Sequence, residues 1–251
     1  MTTPVLETRD LCMNFGALQV THHVDFALGV GARHAIIGPN GAGKTTFINL
    51  ITGALRPTSG QVLLHGNAIT HLPESQRVKR GIARTFQINS LFSGLTVLEN
   101  IYLAASERTG TARRLLRAVG AHPQVVTEAW RLLELLHLTP DAQHPVAELP
   151  YGRQRLVEIA IALALQPKVL LLDEPAAGVP STESHIILEA IEALPSDMAV
   201  LIIEHDMDIV FRFAQTITVL VDGAVMVSGA PQDIAANAAV KAVYLGERHH
   251  V

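Results

Sequence analysis

The chain has 251 residues, of which 49% are hydrophobic and 17% charged, with a formal net charge of -4. That balance supplies a large core and excludes a disordered chain, while the acidic excess and the lack of a long basic run predict no nucleic-acid partner. Aromatics are only 4%, so aliphatic side chains must build the core, and Cys12 stands alone, which excludes an intramolecular disulfide.

The first ten residues lack the basic start and apolar stretch of a secretory signal, and no apolar run reaches the roughly 18 residues that span a bilayer. β-type runs at 19–28, 34–37 and 61–65 are separated by Gly or Pro, and one helix, 44–55, stands between the last two. From 91 to 147 the character turns helical: Val125, Ala129, Leu132, Leu133 and Leu136 recur near a 3.6-residue period. Helices at 154–165 and 182–193 then alternate with apolar strands at 169–172 and 199–203, which predicts parallel strands buried on both faces. Asp222-Gly223 between runs 216–221 and 224–227 predicts a hairpin, and a short helical segment to Leu245 closes the chain.

Gly38-Pro39-Asn40-Gly41-Ala42-Gly43-Lys44-Thr45 fits the phosphate-loop spacing G-x-x-x-x-G-K-S/T and lies between an apolar strand and a helix that continues with Thr46. Glycines let backbone N–H groups wrap a phosphate closely; Lys44 can meet the outer phosphates, and Thr45 can offer its hydroxyl to Mg²⁺. The run Val169-Leu170-Leu171-Leu172 ends in Asp173-Glu174. At the carboxyl end of a buried strand, Asp173 can reach that Mg²⁺ and Glu174 can deprotonate an attacking water. His205 follows a second apolar strand and should surface on the same edge, where it can reach a terminal phosphate. Gln87 alone is a weak signal. The remaining histidines, His22-His23 and His249-His250 included, show no metal-ligand spacing, and Cys12, with no base or second cysteine beside it, reads as packing.

One helix before the acidic pair stands Leu149-Pro150-Tyr151-Gly152-Arg153, and at this point the chain resembles an ABC-type ATPase. The resemblance runs in order through Phe15, where that family stacks an aromatic on adenine, the phosphate loop, Gln87, the signature loop, Asp173-Glu174 and His205. Arg84-Thr85-Phe86-Gln87, Tyr151-Gly152, Glu174-Pro175-Ala176-Ala177-Gly178, Glu204-His205-Asp206-Met207 and Tyr244-Leu245-Gly246-Glu247 resemble more narrowly the ATP-binding subunit of branched-chain amino acid importers. The resemblance implies an α/β fold: a RecA-like core with an antiparallel β portion (1–85 and 151–251) and a helical subdomain (86–150), all in one cassette. It implies ATP and Mg²⁺, with Gln87 joining Thr45 and Asp173 at the metal. It further implies a second ABC ATPase subunit (a heterodimer, with a homodimer as alternative), two transmembrane permeases, a periplasmic solute-binding protein and a place on the cytoplasmic face of the inner membrane. Importers of urea or aromatic acids, a lipopolysaccharide-export ATPase and an iron-sulfur-assembly ATPase are the alternatives; a P-loop GTPase or kinase is disfavoured because no N-K-x-D motif is present and Glu174 directly follows Asp173.

Three positions depart from the family pattern: Pro150 replaces the signature serine, Arg153 its glutamine, and Pro180-Ser181 the usual Asp or Asn. In this family the signature closes over the nucleotide of the other subunit. A proline there offers neither hydroxyl nor N–H, so the expectation is a weakened contact, with Gly152 and the helix start retained.

Overall fold

The structure is a computed structural model that describes residues 3–85, 91–111, 122–180 and 183–246, with residues 244–246 by backbone only. The chain opens with β1 (Leu6–Phe15), β2 (Leu18–Leu28), β3 (Arg33–Ile37), α1 (Lys44–Thr52), β4 (Ser59–Leu64) and β5 (Asn67–Ala68). It continues with α2 (Glu74–Lys79), β6 (Ile82–Arg84), α3 (Val97–Thr109), α4 (Pro123–Leu135), α5 (Tyr151–Ala164), β7 (Val169–Asp173) and α6 (Ser184–Glu192). Then follow β8 (Ala199–Ile203), α7 (Met207–Phe213), β9 (Thr216–Val221), β10 (Ala224–Gly229), α8 (Pro231–Ala236) and α9 (Ala238–Gly246).

Two sheets result. The first is antiparallel, in the order β2-β1-β4-β5. The second runs β10-β9-β3-β8-β7-β6, parallel throughout except for the edge strand β10, which turns back on β9 with Ala224 opposite Val221. Period-two alternation sends its side chains to opposite faces. Ile36, Leu171, Leu201 and Ile203 pack with α1 and the antiparallel sheet, whereas Ile37, Leu170, Leu172, Val200 and Ile202 pack under α3, α4, α5 and α6. Helix α1 is therefore enclosed between the two sheets, with Phe47, Ile48, Leu50 and Ile51 fully buried.

Helix α3 is started by Thr96, whose hydroxyl accepts from the Glu99 amide while the Glu99 carboxylate accepts from the Thr96 amide. Val97, Ile101 and Ala105 on this helix share a core with Val125, Ala129, Leu132 and Leu133 of α4 and with Leu156, Ile159 and Ala160 of α5. Among the described residues, no helix is long and apolar enough to cross a membrane.

The expected strands and hairpin are present, with ends moved by one or two residues. The helix expected to reach residue 55 stops at Thr52, because Gly53 adopts a left-handed conformation (φ 88) that ends it. The helix expected from 154 begins at Tyr151. The stretch 91–147 is two helices and two short 3₁₀ turns (Thr139–Asp141 and Val146–Glu148) around residues 112–121, which lie outside the described set. β1, α2, β6 and α7 answer to no run singled out in the sequence.

Candidate active site

The phosphate loop joins the carboxyl end of β3 to the amino end of α1. A Cβ on Gly38 would stand 2.2 Å from the Leu220 carbonyl oxygen of β9, so only glycine fits there. Gly43, the last residue before α1, is left-handed (φ 91), and a Cβ on it would meet the Val20 carbonyl of β2 at 2.7 Å. These two contacts press both neighbouring strands against the loop. Lys44 Nζ donates to the carbonyls of Gly38 (2.6 Å) and Pro39 (2.9 Å), holding the ammonium within the cradle. The first turn of α1 contributes the positive end of its dipole at the same place.

The far end of α1 is braced by a residue that the sequence reading passed over. Arg77 of α2 is fully buried, and its guanidinium donates to the carbonyls of Leu50 (2.7 Å), Ile51 (2.7 Å), Thr70 (2.8 Å) and Leu72 (3.0 Å). Two of those carbonyls belong to the last turn of the helix, where no intrahelical donor remains. Burial lowers the Arg77 pKa to about 10, which leaves it charged at neutral pH.

Thr45, Asn49, Arg84, Asp173 and Glu174 line one cleft of 370 Å³ at the carboxyl edge of the parallel sheet. Asp173 Oδ2 accepts from Arg84 Nη2 at 2.5 Å, and Arg84 Nη1 donates to Asn49 Oδ1 at 2.7 Å, so Arg84 ties β7 to α1. Glu174 has φ 46, an uncommon conformation for a side-chain-bearing residue, and its amide donates to the Ile203 carbonyl at 2.9 Å. The turn thereby ends the strand and keeps Glu174 at the cleft. Glu204 is a second site residue without a role in the sequence reading. It is 1% exposed, burial raises its pKa, and its carboxylate accepts from the amides of Ala176 (3.2 Å), His205 (3.0 Å) and Asp206 (3.3 Å). One buried acid thus joins the turn after Glu174 to the turn carrying His205.

His205 stands at the end of β8, the strand beside β7, with its side chain 69% exposed. Phe15 ends β1 opposite Leu18 and is 48% exposed, on the hairpin whose second strand touches the phosphate loop. Gln87 lies outside the described residues. The signature residues occupy the start of α5: Leu149 is buried, and Pro150 (φ -55, ψ 151) stands at the N-cap without a side-chain cap. Tyr151 packs against Gly178 in the segment after Glu174, and its hydroxyl accepts from Arg155 at 3.1 Å. Arg153 is turned back on its own subunit, bonding Asp141 through Nε (2.8 Å) and the His137 carbonyl through Nη2 (2.7 Å).

The donors at the cleft suit Mg²⁺: the Thr45 hydroxyl and the Asp173 carboxylate are hard oxygen ligands, and Arg84 engages only one of the carboxylate oxygens.

Comparison with known proteins agrees with this arrangement. The pattern of the ABC transporter family matches residues 21–177. The chain is 37% identical to the high-affinity branched-chain amino acid transport ATP-binding protein LivG of Escherichia coli K12, over 98% of this chain and 100% of that protein. It is 36% identical to the corresponding BraF protein of Pseudomonas aeruginosa, again over 98% and 100%. Among solved structures, the ADP conformation of an ATP-binding cassette of an ABC transporter superposes with a TM-score of 0.85 at 30% identity, covering 98% of this chain and 100% of the other. A bacterial ABC transporter cassette solved as a dimer gives 0.75 at 25% identity over 90% and 98%. With phosphate loop, acidic strand end and signature helix on one such scaffold, the chain belongs to the ABC transporter family as its ATP-binding, ATP-hydrolysing cassette.

Proposed function

We propose that this cassette drives an importer of branched-chain amino acids. It would work as one of two ATPase subunits, preferably in a heterodimer, beneath two transmembrane permeases on the cytoplasmic face of the inner membrane, fed by a periplasmic solute-binding protein. The cargo reading is supported by full-length similarity to relatives named for that transport. The catalytic reading is supported by one observation above the others: Thr45, Asp173 and the left-handed Glu174 line a single cleft beside the phosphate loop.

The loop amides and Lys44 bind the phosphates of ATP, and Phe15 stacks on the adenine. Thr45 and Asp173, with Gln87, would hold Mg²⁺, which would supply charge neutralisation at the phosphates. Glu174 accepts a proton from a water as its oxygen bonds to the γ-phosphorus and the bond to ADP breaks. His205 donates to the γ-phosphate. The signature residues Leu149, Pro150, Tyr151, Gly152 and Arg153 form the part of the surface offered to the partner's nucleotide, Gly152 and the α5 N-terminus carrying the contact. Residues 86–150 then act as the helical subdomain that transmits closure to the permeases.

Glu174→Gln keeps shape and hydrogen bonding but removes the base. It should preserve ATP binding and lower turnover about 10²- to 10⁴-fold. Wild-type hydrolysis in that variant would remove Glu174 from the mechanism. Uptake of labelled leucine, in preference to urea or an aromatic acid, by the complete assembly in vesicles tests the cargo.

A further inference from the structure

A second group of potential ligands stands on the antiparallel sheet. Asp10 and Cys12 lie on β1 and His23 on β2, where the ladder between these strands slips, once between Thr8 and Leu11 and again between Leu11 and Met13. Asp10 (φ 50) and His23 (φ 45) are both left-handed there. His23 Nδ1 is 2.5 Å from Asp10 Oδ1, and the His23 amide donates to Cys12 Sγ at 3.2 Å. One carboxylate oxygen, one ring nitrogen and the sulfur all lie within 4.8 Å of one another.

Burial is graded across the group. Cys12 is 4% exposed, whereas the His23 and Asp10 side chains are 71% and 67% exposed, so the sulfur forms a floor beneath a polar rim. An ion pair between two such exposed side chains contributes little to stability. A left-handed conformation is uncommon for a residue with a side chain, and two of them stand together here. The Asp10 amide donates to Asp25 Oδ1 (2.7 Å) and the His23 amide to Cys12 Sγ (3.2 Å), so each left-handed residue spends its N–H on a neighbouring side chain. A shared metal ion would give both conformations a purpose.

We propose that Asp10, Cys12 and His23 form a binding site for one zinc-class divalent cation. Sulfur, nitrogen and oxygen donors together select Zn²⁺ or Co²⁺ over Mg²⁺ or Ca²⁺. A tetrahedral zinc with bonds of about 2.0 to 2.3 Å spaces its ligand atoms roughly 3.3 to 3.8 Å apart, so with all three atoms already within 4.8 Å of one another the main adjustment is opening the His23–Asp10 contact by roughly an ångström. Cys12 releases its proton to solvent as the sulfur–metal bond forms, and water fills the fourth position. Sequence spacing hides this set because its members sit on two strands.

The chain's single cysteine makes the test clean: a sulfur-to-cobalt charge-transfer band can arise only from Cys12. Titrating Co²⁺ into the full chain, with excess Mg²⁺ present, should give that band together with tetrahedral d–d bands, saturating at one equivalent and displaced by Zn²⁺. His23→Ala and Asp10→Ala, both at exposed positions, should weaken Co²⁺ binding at least about tenfold. Cys12→Ser should abolish the charge-transfer band. No band in the wild-type chain, or unchanged Co²⁺ affinity in the His23 and Asp10 variants, would overturn the proposal.

Discussion

The phosphate loop and the signature segment are both glycine-bearing turns that lead into helices, yet the chain treats them differently. The loop is held on every side by its own subunit: Leu220 and Val20 carbonyls press on Gly38 and Gly43, Lys44 bonds the loop, and Arg77 braces the other end of α1. In the signature, Gly152 and Tyr151 lie against the segment after Glu174, where a Cβ on Gly152 would meet Glu183 Oε2 at 2.9 Å, and the residue left uncapped is Pro150. Pro150 caps α5 without a side-chain bond, and the polar reach of Arg153 is spent inward on Asp141 and the His137 carbonyl. In the proposed two-subunit arrangement, the half-site that binds ligand within one chain is enclosed by that chain, while the half-site a partner would complete offers mainly backbone at Pro150.

The largest test of that contrast is Arg77→Leu. It removes four hydrogen bonds and orphans the carbonyls of Leu50 and Ile51 behind the phosphate loop. The expected loss is about 3 to 5 kcal/mol of unfolding free energy, as for breaking a buried charged network. Nucleotide affinity should fall with it, because α1 carries Lys44 and Thr45. A chemical denaturation curve within about 1 kcal/mol of wild type would mean that the loop does not depend on its brace.

A smaller effect comes from acid. His34 on β3 is buried against Phe26, with ring centroids 4.9 Å apart, and its Nε2 lies 2.8 Å from Thr218 Oγ1; burial lowers its pKa from 6.5 to about 4. Between those values the unfolded chain binds a proton that the native chain refuses. This contribution is therefore complete above pH 6.5 and is lost as pH falls toward 4, by about 3 kcal/mol. Glu158 and Glu204, whose pKa values burial raises, act in the opposite sense, since their folded forms hold protons more tightly. The difference between wild-type and His34→Leu stability curves isolates the histidine. It should slope across this window, and hydrogen exchange should report the loosening at β3 and β9 before α3 to α5.

What was legible in the sequence follows the same division. The phosphate loop could be read because its geometry demands residue types at fixed spacing, and β7 and β8 because strands buried on both faces are continuous apolar runs. β1 was harder, since its slipped register interrupts the alternation that marks a strand. Helix α2, Glu74-Ser-Gln-Arg-Val-Lys, has no apolar stripe, and Arg77 looks like a surface residue until the carbonyls of α1, 26 and 27 positions earlier, are brought beside it. Glu204 is similar. The amides of His205 and Asp206 follow it directly, but the Ala176 amide, 28 positions earlier, reaches it only when β7 and β8 lie side by side.

The smallest predicted effect concerns the signature itself. The amides of Arg153 and Gln154 bond the Pro150 carbonyl at 3.0 and 3.1 Å, so α5 begins correctly without a capping side chain. Pro150→Ser adds a hydroxyl at that N-cap while leaving Arg153 on Asp141. Arg153→Gln is the less informative change, because it also strands the Asp141 carboxylate. If the serine hydroxyl matters to the partner's nucleotide, Pro150→Ser should raise ATPase activity in the two-subunit assembly by about threefold to tenfold, less than a full charge-assisted hydrogen bond provides. The rise should persist when this chain also carries Glu174→Gln, which silences its own site and leaves only the one facing Pro150. An N-cap serine would by itself add about 1 kcal/mol of stability, so a higher melting temperature with unchanged ATPase would show that the cap improved and the contact did not. That outcome would mean that Gly152 and the helix N-terminus already bind the partner's nucleotide fully, and that the two half-sites differ in construction but not in turnover.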